Sequence, residues 1–158
     1  MKKTILALFI LMLACAAFCE NGMEVKIDNY SITVPSGWLA QRTDSSTLFV
    51  LYSPVEENDD FQENGNLSVE QLPSKYSVKG YLESSREYIK TLYSNFNLIE
   101  AKDNYQIISG EINGTKVQQI QFVFMKGNIA NVLTYTSNPE NFARYLDTFK
   151  KIQKSFKY

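Results

Sequence analysis

The residues that can do chemistry are unevenly supplied in this chain. Its 158 residues include no histidine, which removes the usual general base, the usual member of a nucleophilic triad and the commonest nitrogen ligand for a metal. Acid–base work would fall to Asp, Glu, Lys or Tyr. No two of these stand at a spacing that commits them to a site, and no Gly-rich phosphate loop occurs. Oxygen ligands are gathered in one stretch. Between Thr43 and Ser74 there is no Lys or Arg, but there are Asp44, Glu56, Glu57, Asp59, Asp60, Glu63 and Glu70. Glu57, Asp59 and Asp60, with Asn58, can offer oxygens to Ca²⁺ and are the candidate metal ligands. The stretch lacks the Asp-x-Asp-x-Asp-Gly spacing that wraps ligands round one ion, so a solvated acidic loop accounts for it more simply. The opposite charge gathers near the C-terminus, where Arg144, Lys150, Lys151, Lys154 and Lys157 face only Asp147. Such a run suits the negative end of a helix dipole, or else an anionic partner or membrane surface. Trp38, after Pro35-Ser36-Gly37, is expected to close one end of a sheet as a core aromatic; the alternative is a binding edge.

Met1–Cys19 has the pattern of a secretory leader: Lys2-Lys3, an apolar Ile5–Leu13, then small residues from Ala14 to Cys19. Processing after Cys19 would remove both cysteines, leaving no disulfide and no thiol nucleophile. Processing at Met12-Leu13-Ala14-Cys15 would instead anchor the chain through a lipid on Cys15. Without Lys2 and Lys3 the remainder has 14 basic and 17 acidic residues, a net charge of about −3 that speaks against nonspecific nucleic-acid binding. Residues 20–158 are enough for one domain with a proper core.

The elements that must position these groups are legible from periodicity. Tyr105–Ile112, Thr115–Phe124 and Ile129–Thr136 are apolar runs joined by Asn113-Gly114 and Lys126-Gly127-Asn128. A two-residue Asn-Gly turn sets Ile107 opposite Ile120 and Tyr105 opposite Phe122; a two-residue Gly127-Asn128 turn sets Phe122 opposite Leu133 and Ile120 opposite Tyr135. One face of this meander is then Tyr105, Ile107, Ile120, Phe122, Leu133 and Tyr135, the other Ile108, Val117, Val123 and Val132. Gln121 is expected toward a less covered part of the second face. Alternation with a parity flip predicts a hairpin over Val25–Val34, with Ile27 beside Tyr30. Leu48–Tyr52 reads as a strand buried on both faces, Leu67–Leu72 as another strand, and Glu56–Gly65 as the long loop. Helical spacing predicts a first helix over Ser77–Phe96. A second opens at Ser137-Asn138-Pro139-Glu140 by a capping box or an Asn138 cap, with Phe142, Tyr145, Leu146, Phe149, Ile152 and Phe156 as its stripe. Two amphipathic helices and a sheet with two apolar faces predict an α+β fold, a three-layer α/β/α sandwich with a mostly antiparallel sheet.

In this order the elements resemble the PsbP-like domain superfamily, including bacterial exported proteins of the DcrB kind. The resemblance rests on Tyr30-Ser-Ile-Thr-Val-Pro-Ser-Gly-Trp38, the strand at Asn66–Val69, the helix from Ser77, the meander and the closing Phe149-x-x-Ile152-x-x-Ser155-Phe156. It covers Glu24–Phe156 and implies a sheet between helices and a non-enzymatic accessory or binding role, without catalytic residues or cofactor to carry over. The expectation is an exported, non-catalytic domain of the bacterial envelope, periplasmic or lipid-anchored, that binds an envelope protein. The alternative is a small-ligand or lipid carrier with its pocket between sheet and helix.

Overall fold

A computed structural model describes residues 22–43, 46–57 and 59–158. The leader reading of Met1–Cys19, including Cys15, and the ligand assignment of Asn58 lie outside these residues. Among the described residues nine strands and two helices follow in the order β1 Met23–Ile27, β2 Tyr30–Val34, β3 Leu39–Arg42, β4 Thr47–Tyr52, β5 Asn64–Gln71, α1 Val78–Leu92, β6 Ser94–Ala101, β7 Tyr105–Ile112, β8 Thr115–Lys126, β9 Ile129–Ser137 and α2 Phe142–Ser155. Seven of the strands form one antiparallel sheet, ordered β3-β4-β5-β9-β8-β7-β6, and β1-β2 is a separate hairpin.

The meander has the expected register throughout. Ile107 pairs with Ile120, Tyr105 with Phe122, Ile120 with Tyr135 and Phe122 with Leu133. The physical cause sits in the turns. Asn113 and Gly114 both have positive φ, 50° and 85°, as a type I′ turn requires; at the next turn only Gly127 does, at 66°, as for type II′ with glycine first. The N-terminal hairpin likewise pairs Ile27 with Tyr30 and Val25 with Ile32.

Alternation then sorts the sheet into two faces. Ile107, Ile120, Phe122, Leu133 and Tyr135 join Phe49, Leu51, Leu67 and the stripe Phe142, Tyr145, Phe149, Ile152, Phe156 of α2 in the main core, which the β1-β2 hairpin completes with Ile27, Ile32 and Val34. Aromatic packing fills it: the ring of Tyr135 stacks on Phe149 at 5.0 Å, and Trp38 sets its half-buried ring edge-on to Tyr145 and Phe149. The opposite face buries Val123, Ala130 and Val132 under Tyr81 and Leu82 of α1.

Four expectations give way. Tyr93–Phe96 is not helical: α1 ends at Leu92, Asn95 adopts a left-handed φ of 54°, and the chain turns back as edge strand β6 beside β7. The helical stripe misled because the buried Tyr93 packs against Gly110, where a Cβ would stand 2.6 Å from its ring. Leu48–Tyr52 is buried on one face only, through Phe49 and Leu51, because α1 lies over β6, β7 and β8. The β3-β4-β5 half of that face stays less covered, with Val50 and Tyr52 half-buried opposite Asn66 and Asn64 and Thr47 Oγ1 3.3 Å from Ser68 Oγ. Gln121 is buried beneath α1, accepting hydrogen bonds from Ser85 Oγ (3.1 Å) and Gln106 Nε2 (2.9 Å). Finally, α2 starts at Phe142 rather than at Ser137: Asn138 Oδ1 accepts the Asn141 N–H at 2.7 Å, closing a turn ahead of the helix.

Candidate functional site

The acidic stretch is folded against the start of α2. Glu56 accepts hydrogen bonds from the Tyr145 hydroxyl (2.5 Å) and from Arg144 Nη2 (2.8 Å). Asp59 accepts from the Phe61 N–H (2.9 Å) and from Asn141 Nδ2 (2.7 Å). Glu63, only 1% exposed, accepts from Ser137 Oγ at 3.0 Å and Ser53 Oγ at 3.3 Å. No sequence pattern marked Glu63 as buried; hydroxyl donors from two distant segments house it. Glu57 and Asp60 remain near the surface. Among the described residues no three His, Cys, Asp or Glu side chains converge as metal ligands. Thermal midpoints of residues 20–158 with and without EDTA are therefore expected to agree; a fall of more than about 5 °C on chelation, on the order of 1 kcal/mol, would establish an ion at Glu57, Asp59 and Asp60.

The Glu56 contacts have an electrostatic signature. The Tyr145 hydrogen bond, then that of Arg144, hold the Glu56 carboxyl below its ordinary value of 4.5 against a smaller opposing effect of desolvation. Burial, and then the same hydrogen bond, push the Tyr145 phenol upward. A depressed carboxyl favours the fold above its unfolded pKa, and that contribution disappears as pH falls through the folded value. Between pH 6 and pH 3, roughly the range spanning carboxylate titration, the thermal midpoint of Glu56→Gln is expected to fall less steeply than that of the parent. Parallel curves would show that the Glu56 contacts carry no pH-dependent stability.

The basic residues are divided by the structure. Arg144 belongs to the first turn of α2, where Glu56 neutralises it. Lys154 alone occupies the last turn and Lys157 lies beyond it, so the helix dipole does not account for the set.

A second region was not marked by the sequence reading. Glu70 and Leu72 of the β5 end, Pro73, Tyr76, and Tyr81, Ser84, Ser85 and Tyr88 of α1 line an open groove of about 350 Å³. Tyr88 is 65% exposed and Leu92 54%. Tyr76, on the α1 approach, and Leu98 and Ile99, on β6, are also exposed. The available signal was Tyr88 itself, a tyrosine seven residues beyond Tyr81 and so on the same side of the helix, at the edge of its apolar stripe. Rings with one apolar face and one polar tip, flanked by two hydroxyls and a carboxylate, can bind; this groove offers contact area and hydrogen bonds.

A seven-stranded antiparallel sheet with an N-terminal hairpin and two helices, in this order, is the PsbP-like fold. Solved structures similar to the chain include the cyanobacterial PsbP protein CyanoP of Synechocystis sp. PCC 6803, at TM-score 0.54 and 12% identity over 92% of this chain and 98% of that one. The Ran-binding protein Mog1p of Saccharomyces cerevisiae matches at 0.60 and 8%, over 87% and 95%. LpqN of Mycobacterium tuberculosis, described as involved in cell envelope biogenesis, matches at 0.53 and 14%, over 88% and 86%. No protein-family model and no curated protein matches the sequence. At these identities the likeness is one of fold, and it agrees with the resemblance carried by Tyr30–Trp38, the meander and the closing helix.

Proposed function

We propose that the chain is an exported, non-catalytic accessory domain of the cell envelope, a three-layer α/β/α sandwich, that binds a protein partner through its α1 side. The observation that carries this is the exposed aromatic surface of Tyr76 and Tyr88 along the groove between α1 and the end of β5. Tyrosine is favoured at protein interfaces because it buries a large area with few rotatable bonds and keeps a polar tip for the rim. The leader pattern of Met1–Cys19 supports export. Mog1p, a Ran-binding protein, and LpqN, placed in envelope biogenesis, lend this fold precedents for protein binding and for an envelope setting.

The test has two arms. A periplasmic reporter fused after Cys19 is expected to be exported in a bacterial host. A photo-crosslinking residue at position 88 is expected to capture one discrete partner in the native envelope, whereas the same residue at position 116, on the far Asn-Gly turn, captures none. Equal adducts from both positions, or none from position 88, would sink the α1 interface.

The carrier reading finds its one opening in the same groove. The space between α2 and the sheet is filled by Tyr135, Phe149, Leu133 and Ile120, all fully buried, whereas the α1–β5 groove is lined by three tyrosines. Saturable chemical-shift changes confined to Tyr76, Tyr81 and Tyr88 on adding a lysophospholipid below its micelle concentration would favour the carrier over the protein-binding domain.

A further inference from the structure

The charges of the domain are sorted along α2. This helix has 14 residues and is about 20 Å long. At its start lie Glu140 and the loop that carries Glu57 and Asp60, held there by the Glu56–Tyr145 and Asp59–Asn141 hydrogen bonds. Toward its other end stand Lys151 and Lys154, followed by Lys157. The β1-β2 hairpin adds Lys26 to the same end, because Ser31 and Lys157 exchange backbone hydrogen bonds of 3.0 and 2.9 Å. Glu24 lies 3.2 Å from Lys26 and 4.0 Å from Lys157, and Asp147 stands one turn before Lys151. Four lysines gather at this end of a chain whose net charge is negative.

The polypeptide arrives at this cationic end and not at the other. Gly22, the first described residue, lines a groove of about 380 Å³ together with Thr33, Thr148, Lys151, Ile152 and Ser155. The approach is tight, since a Cβ on Gly22 would stand 2.4 Å from the Val34 carbonyl oxygen. Gly22 thus stands on the same groove as Lys151. From Cys15, the candidate lipidation position, to Gly22 is a span of about 25 Å at full extension.

We propose that this end of the domain, Lys26, Lys151, Lys154 and Lys157 around the point where the chain arrives, is a docking surface for an anionic phospholipid membrane. It stands the domain with its acidic end turned outward. A tether of that length keeps the lysines near the bilayer, where each gains from a negative leaflet and the acidic end is repelled. The tether also selects the membrane over a soluble anionic protein, which would have no reason to meet the domain at the point of chain attachment. For its setting the proposal rests on the envelope reading, but the surface is tested without it.

The experiment uses residues 20–158, which contain every described element, with Glu20→Cys coupled to a maleimide lipid. Vesicles contain phosphatidylcholine alone or with phosphatidylglycerol, and lysines are acylated and followed by mass spectrometry. On phosphatidylglycerol, labelling of Lys151, Lys154 and Lys157 is expected to slow by about 5-fold, the effect of one lysine's attraction to an anionic surface. Lys79 and Lys116 are expected to be unaffected, and 0.5 M NaCl should abolish the difference. Lys154→Glu, an exposed substitution whose thermal midpoint is measured alongside, should remove most of the protection at Lys151 and Lys157. Equal labelling on both vesicle types, protection spread evenly over all lysines, or protection that survives Lys154→Glu would overturn the docking surface. A failed export reporter would instead overturn the envelope reading and leave the vesicle result standing, so the two failures are distinguishable.

Discussion

Ile120→Asp leaves the chain unfolded. Ile120 is fully buried at the centre of the meander, with Ile107 opposite it on one side and Tyr135 on the other. Phe149 stacks on the Tyr135 ring from α2. An aspartate there is surrounded by the side chains of an apolar core, so its carboxylate would have to be neutralised in that site or the strand displaced. The expected loss is about 4 kcal/mol or more, a large share of a domain's stability. Ile120→Val is the control, at about 1 kcal/mol. The readout is urea denaturation, with the soluble yield where no folded baseline remains. A two-state Ile120→Asp protein within about 2 kcal/mol of the parent would refute the assignment of this face.

Gln121→Asp, one residue along, is not the mild change that an open second face would allow. Shortening the side chain withdraws the carbonyl oxygen that Ser85 and Gln106 both address, and the Gln106 amide, itself buried, also holds Arg86 Nε at 3.0 Å. A loss of about 1–3 kcal/mol is expected for orphaning buried donors. It remains smaller than that for Ile120→Asp because Arg86 stands near enough to the network to offset part of the charge.

Gly65→Ala is the second large effect, and nothing about Gly65 in the sequence announces it. A Cβ at this position would stand 2.4 Å from Tyr135 Cδ1 and 2.7 Å from Cε1. The neighbour cannot give way: the Tyr135 ring is stacked on Phe149 at 5.0 Å and set edge-on to Phe122 at 6.4 Å, with no exposure. Overpacking of this kind costs about 1–3 kcal/mol, with the upper end expected where the obstructed group is a ring locked on both sides. A double-mutant cycle with Tyr135→Leu separates this clash from loss of backbone freedom. Gly65→Ala should be much less costly in the Tyr135→Leu background, giving a coupling of about 1–2 kcal/mol. Additive effects would place the cost in the backbone instead. Tyr135→Phe gives a further check, since the buried Tyr135 hydroxyl has no hydrogen-bond partner among the described residues; its removal is expected to be neutral or stabilising by up to about 1 kcal/mol in urea denaturation.

Taken alone, the sequence determined whatever depends on short-range geometry. Asn113-Gly114 and Gly127-Asn128 dictate turn types, the turns dictate register, and a period of two then assigns every meander residue to a face, so Ile107–Ile120 and Phe122–Leu133 are legible in the sequence itself. The stripe of α2 was legible for the same reason, at period 3.6. What only the tertiary structure decided depends on which element covers which part of the sheet. Tyr93 continues a helical stripe in the sequence, yet the place that α1 takes over β6, β7 and β8 ends the helix at Leu92 and sends Asn95 into a left-handed turn. Leu48–Tyr52 reads as doubly buried because its run is apolar, but α1 lies over β6, β7 and β8 and leaves one side of β4 half-buried. The candidate sites are of this second kind. The acidic loop meets α2 across more than eighty residues of sequence, through Glu56–Tyr145 and Asp59–Asn141. The tyrosine groove forms where the end of β5 passes α1, and the cationic end exists because Gly22 and Lys151 line one groove. Such meetings are settled by the packing of surfaces far apart in the chain, and local periodicity carries no record of them.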